Sequence, residues 1–210
     1  MLRSLFFALI VRPLCLVVLG INLRHRERLP RNGPAVVVAN HNSHLDTLVL
    51  ITLFPLRKLG LLHPVAAQDY FFRNRFLKWF SLKIIGIIPL ERGGGFGGGD
   101  PLKPVEDALE RGEIVILFPE GSRGDPEKPA EFKSGVAHLA MRRPAVPVFP
   151  VYMHGLGKAL PRGEALLVPF FCDVFVGEPL WWCGNRAAFM QSLKERMSAL
   201  AAEGEFPAWE

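Results

Sequence analysis

His41 and Asp46 stand five residues apart in the stretch Asn40-His41-Asn42-Ser43-His44-Leu45-Asp46, a polar cluster between two apolar runs. An imidazole can take the proton of a hydroxyl, and a carboxylate on its other nitrogen fixes the tautomer and stabilises the charged ring. On a regular helix, five residues separate two side chains by about 140°. The pair can meet only where the chain turns, and the apolar runs 35–39 and 47–53 predict such a turn, a strand entering a helix. Two other readings compete. Ser43 and Asp46 have the spacing of a capping box, which accounts for Asp46 without chemistry but leaves His41 unexplained. His41, His44 and Asp46 could instead hold a metal. Their spacing differs from the metallohydrolase H-x-H-x-D-H pattern, and Thr47 stands where its last histidine belongs.

A second constellation, Phe118-Pro119-Glu120-Gly121-Ser122-Arg123-Gly124, closes the apolar run that starts at Ile114. Loops at the carboxyl ends of strands are where α/β sheets bind ligands. Gly121 and Gly124 let the backbone approach a ligand closely. Arg123 can fork onto a phosphate or carboxylate, and Glu120 can orient Arg123 or a substrate hydroxyl. The plainer reading is a local Glu120–Arg123 ion pair in a tight turn. Ser122 makes a poor nucleophile, because Glu120 occupies the place of the first glycine in a G-x-S-x-G elbow. A third strand-like run leads to Arg92, which also reads as a solvated arginine beside the glycine tract 93–99.

These residues need a scaffold. Residues 35–39 and 114–118 are fully apolar, as in strands buried on both faces. Residues 21–26, 84–90, 146–153 and 166–176 supply further strand. Helices are predicted over 45–54, over 104–111 with Gly112 as its stop, and over 133–142. Asn185 can cap a last helix carrying Phe189, Leu193, Met197 and Leu200 on one stripe. The alternation predicts an α/β fold, a mixed, largely parallel sheet flanked by helices. Residues 70–83 read as one helix with Phe72, Phe76, Trp79 and Phe80 on one face and Asn74, Arg75, Lys78 and Ser81 opposite. Such a face either packs on the core or docks on a membrane.

The chain has 210 residues, half of them apolar, a net charge of +5 and a mean hydropathy of +0.22. A high hydropathy with a basic surplus suits an anionic membrane surface, and neither zinc-finger spacing nor an RNP-type motif points to nucleic acid. Cys15, Cys172 and Cys183 are an odd number without C-x-x-C, which fits a reducing compartment. The amino-terminal apolar stretch is split by Arg12-Pro13. Spanning a bilayer would bury Arg12 near the middle, at about 2.5–3.5 kcal/mol. The expectation is a membrane-associated helical segment over 1–20, lying in the interface, with a tilted span as the alternative, followed by a domain over 21–210.

Taken together, the blocks resemble the 1-acylglycerol-3-phosphate acyltransferase family, the glycerolipid acyltransferases with an HxxxxD motif. Asn40, His41, Ser43 and Asp46 match its NHxSxxD block. Residues 86–92 loosely match its second block, and 118–124 match its FPEGTRS block with Ser122 for threonine and Gly124 for the last serine. Residues 146–151 match a VPVxPV strand, and Phe132-Lys133-Ser134-Gly135 is also similar to the family. Ala67 stands where a basic residue is often found.

The resemblance implies transfer of a fatty acyl group from acyl-CoA or acyl carrier protein to a lysophospholipid hydroxyl, with 1-acyl-sn-glycerol 3-phosphate the default acceptor and phosphatidic acid the product. It implies His41 as general base, Asp46 as its partner, and Arg92, Glu120, Gly121 and Arg123 around the acceptor. No cofactor and no metal are expected. The implied location is the cytoplasmic membrane, peripheral or monotopic, with the site facing the cytosol. A different lyso-lipid acceptor, or a non-catalytic protein that binds acidic lipid, are the alternatives.

Overall fold

The computed structural model describes residues 1–43, 45–72, 74–91, 99–121, 131–159, 171–204 and 206. Its strands are β1 (Ile21–Arg24), β2 (Ala35–Ala39), β3 (Leu62–Ala67), β4 (Ile88–Leu90), β5 (Ile114–Leu117), β6 (Val148–His154) and β7 (Cys172–Val176). They form one sheet in the order β1-β7-β6-β2-β5-β3-β4. Among the described strand pairs only β6–β7 is antiparallel, so the sheet is mixed and largely parallel, as the alternating pattern predicts.

β2 lies between β6 and β5, and all five of its residues are buried. Its period-2 geometry sends Ala35, Val37 and Ala39 into one apolar layer and Val36 and Val38 into the other. The first layer is filled by α2 (Leu45–Thr52) and the amino-terminal helix. The second is filled by α5 (Lys103–Glu110), α6 (Gly135–Arg142) and α8 (Arg186–Glu203). α5 ends where expected, with Gly112 at φ +76°. The Asn185 side chain accepts the Ala188 N–H and caps α8, whose Phe189, Leu193, Met197 and Leu200 are buried.

Residues 2–18 form a helix that begins as α1 (Leu2–Phe6) and continues through wide π-type turns. Phe7, Val11, Cys15 and Leu19 are buried at a spacing of four. On a regular helix such a row drifts by about 40° per step, and the wider turns bring it back onto one face. Arg12, expected to be a liability in an apolar segment, donates from Nη2 to the Phe54 carbonyl just past α2. Arg3 donates from Nη2 to the carbonyls of Leu62 and Ile85. Burial lowers its guanidinium to about 10. The opposite face leaves Leu2, Leu5, Leu9, Ile10, Leu16 and Val17 exposed. Among the described residues no helix is long and apolar enough to cross a membrane.

Several expectations need correction. The helix over 70–83 is interrupted: α3 (Gln68–Phe71) stops, and α4 (Arg75–Phe80) starts afresh at Asn74, whose Oδ1 accepts the Leu77 N–H at 2.6 Å. An asparagine oxygen satisfying an orphan amide favours a new start over continuity. Phe76 is 71% and Trp79 45% exposed, whereas Ser81, assigned to the polar face, is buried. Phe76 and Trp79 therefore do not pack on the core, whereas Phe80 on the same face is half-buried against it. The strand over 84–90 is shorter: residues up to Ile85 finish a π-type turn, Gly86 at φ +76° reverses the chain, and only β4 is extended. β3 was not anticipated, because Pro64 removes a ladder donor and breaks the strand pattern. The strand over 166–176 is seen as β7, and residues 160–170 lie outside those described. Short helix α7 (Leu156–Ala159) follows β6.

Candidate active site

β2 and β5 are parallel neighbours with Val38 opposite Leu117. Carrying that register three residues further places His41 beside Glu120 at the carboxyl edge of the sheet. The two polar motifs, 79 residues apart in the chain, thus converge because their strands pair.

Beyond Ala39 the Asn40 side chain replaces a strand residue. Its Nδ2 donates to the Met153 carbonyl at 2.8 Å, and its Oδ1 accepts the Met153 N–H at 2.7 Å. Asn40 thereby ties the end of β2 to β6 while its main chain turns towards α2. The turn delivers His41 and Asp46 to each other: Nδ1 of His41 lies 2.8 Å from Oδ2 of Asp46. The same Oδ2 accepts the N–H of Asn42 at 2.6 Å and of Ser43 at 2.8 Å. An oxygen already accepting two amides is an acceptor for the third, so Nδ1 carries the proton and donates. Nε2 keeps its lone pair and has no hydrogen bond among the described residues.

The two readings of Asp46 are thus both present in the fold. It satisfies amides at the start of α2, as a capping box would, and the same oxygen orients His41. The imidazole stacks on Phe118, with ring centres 4.2 Å apart and planes at 21°. Its side chain is 19% exposed, whereas Asp46 is wholly buried. Burial raises the Asp46 carboxyl, and the hydrogen bond and charge of His41 and the amides of Ser43 and Asn42 oppose that rise.

Glu120 is 4% exposed. Its Oε1 accepts the main-chain N–H of His41 at 3.1 Å, a contact that neither sequence reading of this residue named. Burial raises this carboxyl too, opposed first by the His41 amide. Gly121 adopts φ +70°, and a Cβ there would stand 2.7 Å from Nζ of Lys133. Lys133 is therefore folded against the site, its N–H bonded to the Pro119 carbonyl at 2.8 Å. Sequence reasoning assigned Lys133 no role, although the stretch 132–135 had been singled out. Arg92, Ser122, Arg123, Gly124 and His44 lie outside the described residues, as does most of the glycine tract. His44, the second histidine of the metal reading, is one of these. Among the described residues, no three His, Cys, Asp or Glu side chains gather as ligands.

Residues 20–154 match the model of the Acyltransferase family. The chain belongs to that family. The matched residues of this acyltransferase chain include His41, Asp46, Glu120, Gly121 and Lys133. A chloroplastic 1-acyl-sn-glycerol-3-phosphate acyltransferase of Arabidopsis thaliana is 32% identical over 162 residues, 76% of this chain and 43% of the relative. A 1-acyl-sn-glycerol-3-phosphate acyltransferase of Bacillus subtilis is 27% identical over 183 residues, 86% of this chain and 82% of the relative. The chain spans less than half the length of the chloroplast relatives it matches, 43% and 44%. The crystal structure of the 1-acyl-sn-glycerophosphate acyltransferase PlsC from Thermotoga maritima superposes with a TM-score of 0.77 at 20% identity. The match covers 99% of this chain and 80% of that one. That likeness shows a shared fold over nearly the whole chain.

Proposed function

We propose that this chain transfers a fatty acyl group from the thioester of acyl-CoA or acyl carrier protein to the free hydroxyl of a lysophospholipid. The acceptor named by the relatives, 1-acyl-sn-glycerol 3-phosphate, would give phosphatidic acid. The observation that carries this reading is the His41–Asp46 pair, 2.8 Å apart with no hydrogen bond on Nε2 among the described residues, in a chain of the Acyltransferase family.

His41 Nε2 takes the acceptor hydroxyl's proton as the oxygen bonds to the thioester carbonyl carbon. Asp46 holds the ring by Nδ1 and stabilises the imidazolium. The tetrahedral intermediate collapses, the C–S bond breaks, and the thiolate leaves with the proton returned from Nε2. The products are an ester and a thiol, so the route balances with the imidazole and two substrates, without metal or cofactor. A positioned base supplies roughly 10²–10⁴-fold. Alignment of the two substrates supplies much of the rest. Gly121, Lys133, Arg92 and Arg123 are assigned to the acceptor phosphate, which needs close main-chain approach and positive charge.

Acceptor and product are lipids, so the site must work at a bilayer surface. The exposed row from Leu2 to Val17 and the aromatic face of α4 are read as one docking surface. They are joined through Phe6 and Phe80, whose rings meet edge to face at 5.3 Å, and Phe80 and Phe76, 6.2 Å apart. The inward Arg3 and Arg12 support a helix lying along the interface over one crossing it. We place it on the cytoplasmic side of the membrane, where the acyl donors are found.

Purified protein assayed with both donor types against a panel of single-chain acceptors tests the reading. Acyl transfer to a phosphate-bearing acceptor, lost in His41→Ala, is the expected result. Vesicle binding without turnover on any acceptor would leave a lipid-binding protein and overturn it.

A further inference from the structure

We propose that Glu120 is a positioning residue that acts through the main chain of His41 rather than on the acceptor. The inference rests on the acyl-transfer reading above, and it changes the role that the family resemblance implies for this side chain.

Three facts converge on it. First, the turn after β2 presents three consecutive amides, and Asp46 Oδ2 accepts those of Asn42 and Ser43 but not that of His41. Glu120 Oε1 accepts the one left over, at 3.1 Å. Without it, a part-buried donor at the root of the imidazole loses its acceptor and the turn loses one of its fixed points. Second, the carboxyl is 4% exposed, and its other oxygen, Oε2, is buried with no partner among the described residues. A group enclosed to this degree has no open face for a hydroxyl or a phosphate. Third, Phe118 and Glu120 lie in the turn directly after β5, and both hold His41. Phe118 takes the ring face at 4.2 Å and Glu120 takes the main chain. With Asp46 on Nδ1, the histidine is gripped at three points, leaving Nε2 as its working atom.

Burial raises the Glu120 carboxyl. The His41 amide needs only an acceptor oxygen at Oε1, which a carboxylate, a carboxylic acid and an amide all offer, so the role does not call for a charge. That requirement separates the proposal from an acceptor-binding carboxylate, for which charge or direct contact is the point.

The test compares Glu120→Gln and Glu120→Ala with the wild type by steady-state kinetics and by nitrogen-15 NMR of histidine-labelled protein. Glutamine keeps an oxygen for the His41 amide. It is expected to retain kcat, acceptor KM and the His41 Nδ1–H resonance. Alanine is expected to lower kcat by about 10- to 100-fold, the scale of a misplaced catalytic group. It should leave acceptor KM within about twofold and displace that resonance. A rise in acceptor KM in either variant with kcat kept overturns the proposal, as does an alanine variant whose resonance and kcat match the wild type. Should the alanine variant fail to fold, glutamine decides alone: full retention of kcat and resonance supports the role, and loss of either overturns it. The resonance is read without substrate. A wild type that transfers no acyl group therefore ends the acyl-transfer reading, while the spectra still report whether Glu120 holds His41.

Discussion

Oδ2 of Asp46 receives Nδ1 of His41 and the main-chain amides of Asn42 and Ser43, so one buried oxygen both builds the turn and orients the ring. This double duty separates the consequences of changing the two residues.

His41→Ala is expected to reduce turnover by roughly 10²–10⁴-fold. The ring is partly exposed and its loss strands no described amide, so the melting temperature and vesicle binding should stay close to wild type. Calorimetry and acyl-transfer assays on the same preparation check this. Near-normal turnover would end the general-base role.

Asp46→Ala should cost both activity and stability. It leaves the buried N–H groups of Asn42 and Ser43 without this acceptor, at about 1–3 kcal/mol each. A denaturation midpoint equal to that of His41→Ala would show that the turn does not depend on Asp46.

Glu120 predicts a direction with pH. Its carboxyl is raised by burial, so between the unfolded value of 4.5 and its higher folded value the folded protein binds the extra proton. Stability from this group is fully present below the unfolded value and is lost as pH rises through the folded one. Glu120→Gln removes that loss. Its melting temperature should therefore fall less than the wild type's as pH rises from acid to neutral. An identical slope in both proteins would contradict the raised carboxyl.

Gly121→Ala places a Cβ at φ +70° and against the Lys133 ammonium. The backbone strain costs about 1–2 kcal/mol. Displacing Lys133 should raise acceptor KM more than it lowers kcat, and Lys133→Ala should reproduce the rise in KM without the loss of stability. An acceptor KM unchanged in both would remove Lys133 from the phosphate.

Phe76→Ser combined with Trp79→Ser tests the docking surface. Both side chains are exposed, so the fold should be unaffected. The apolar area withdrawn from lipid, at about 25 cal/mol per Å², should weaken binding to anionic vesicles by at least roughly tenfold. Sedimentation with vesicles at fixed salt measures it.

Much of this molecule is written in local patterns. The buried central strand β2 follows from five consecutive apolar residues, α8 from a cap and a four-residue stripe, and the end of α5 from Gly112. Where a local competitor was as strong as the pattern, the reading failed. The Asn74 cap broke the helix over 70–83, and Pro64 concealed β3. The pairing of His41 with Asp46 was legible because both lie in one turn, within reach of each other along the chain.

By itself the sequence determined the residue types that can do chemistry, the strand-to-helix junction that brings His41 to Asp46, and the α/β class. These depend on spacing and periodicity, which act within a few residues. Only the tertiary structure decided what lies across the sheet: Glu120 on the His41 amide, Phe118 on its ring, Asn40 on Met153, and Arg12 on the end of the helix that carries Asp46. Those partners are joined by strand order and register. Both are set by burying two apolar layers at once, and no single segment of the chain contains that condition.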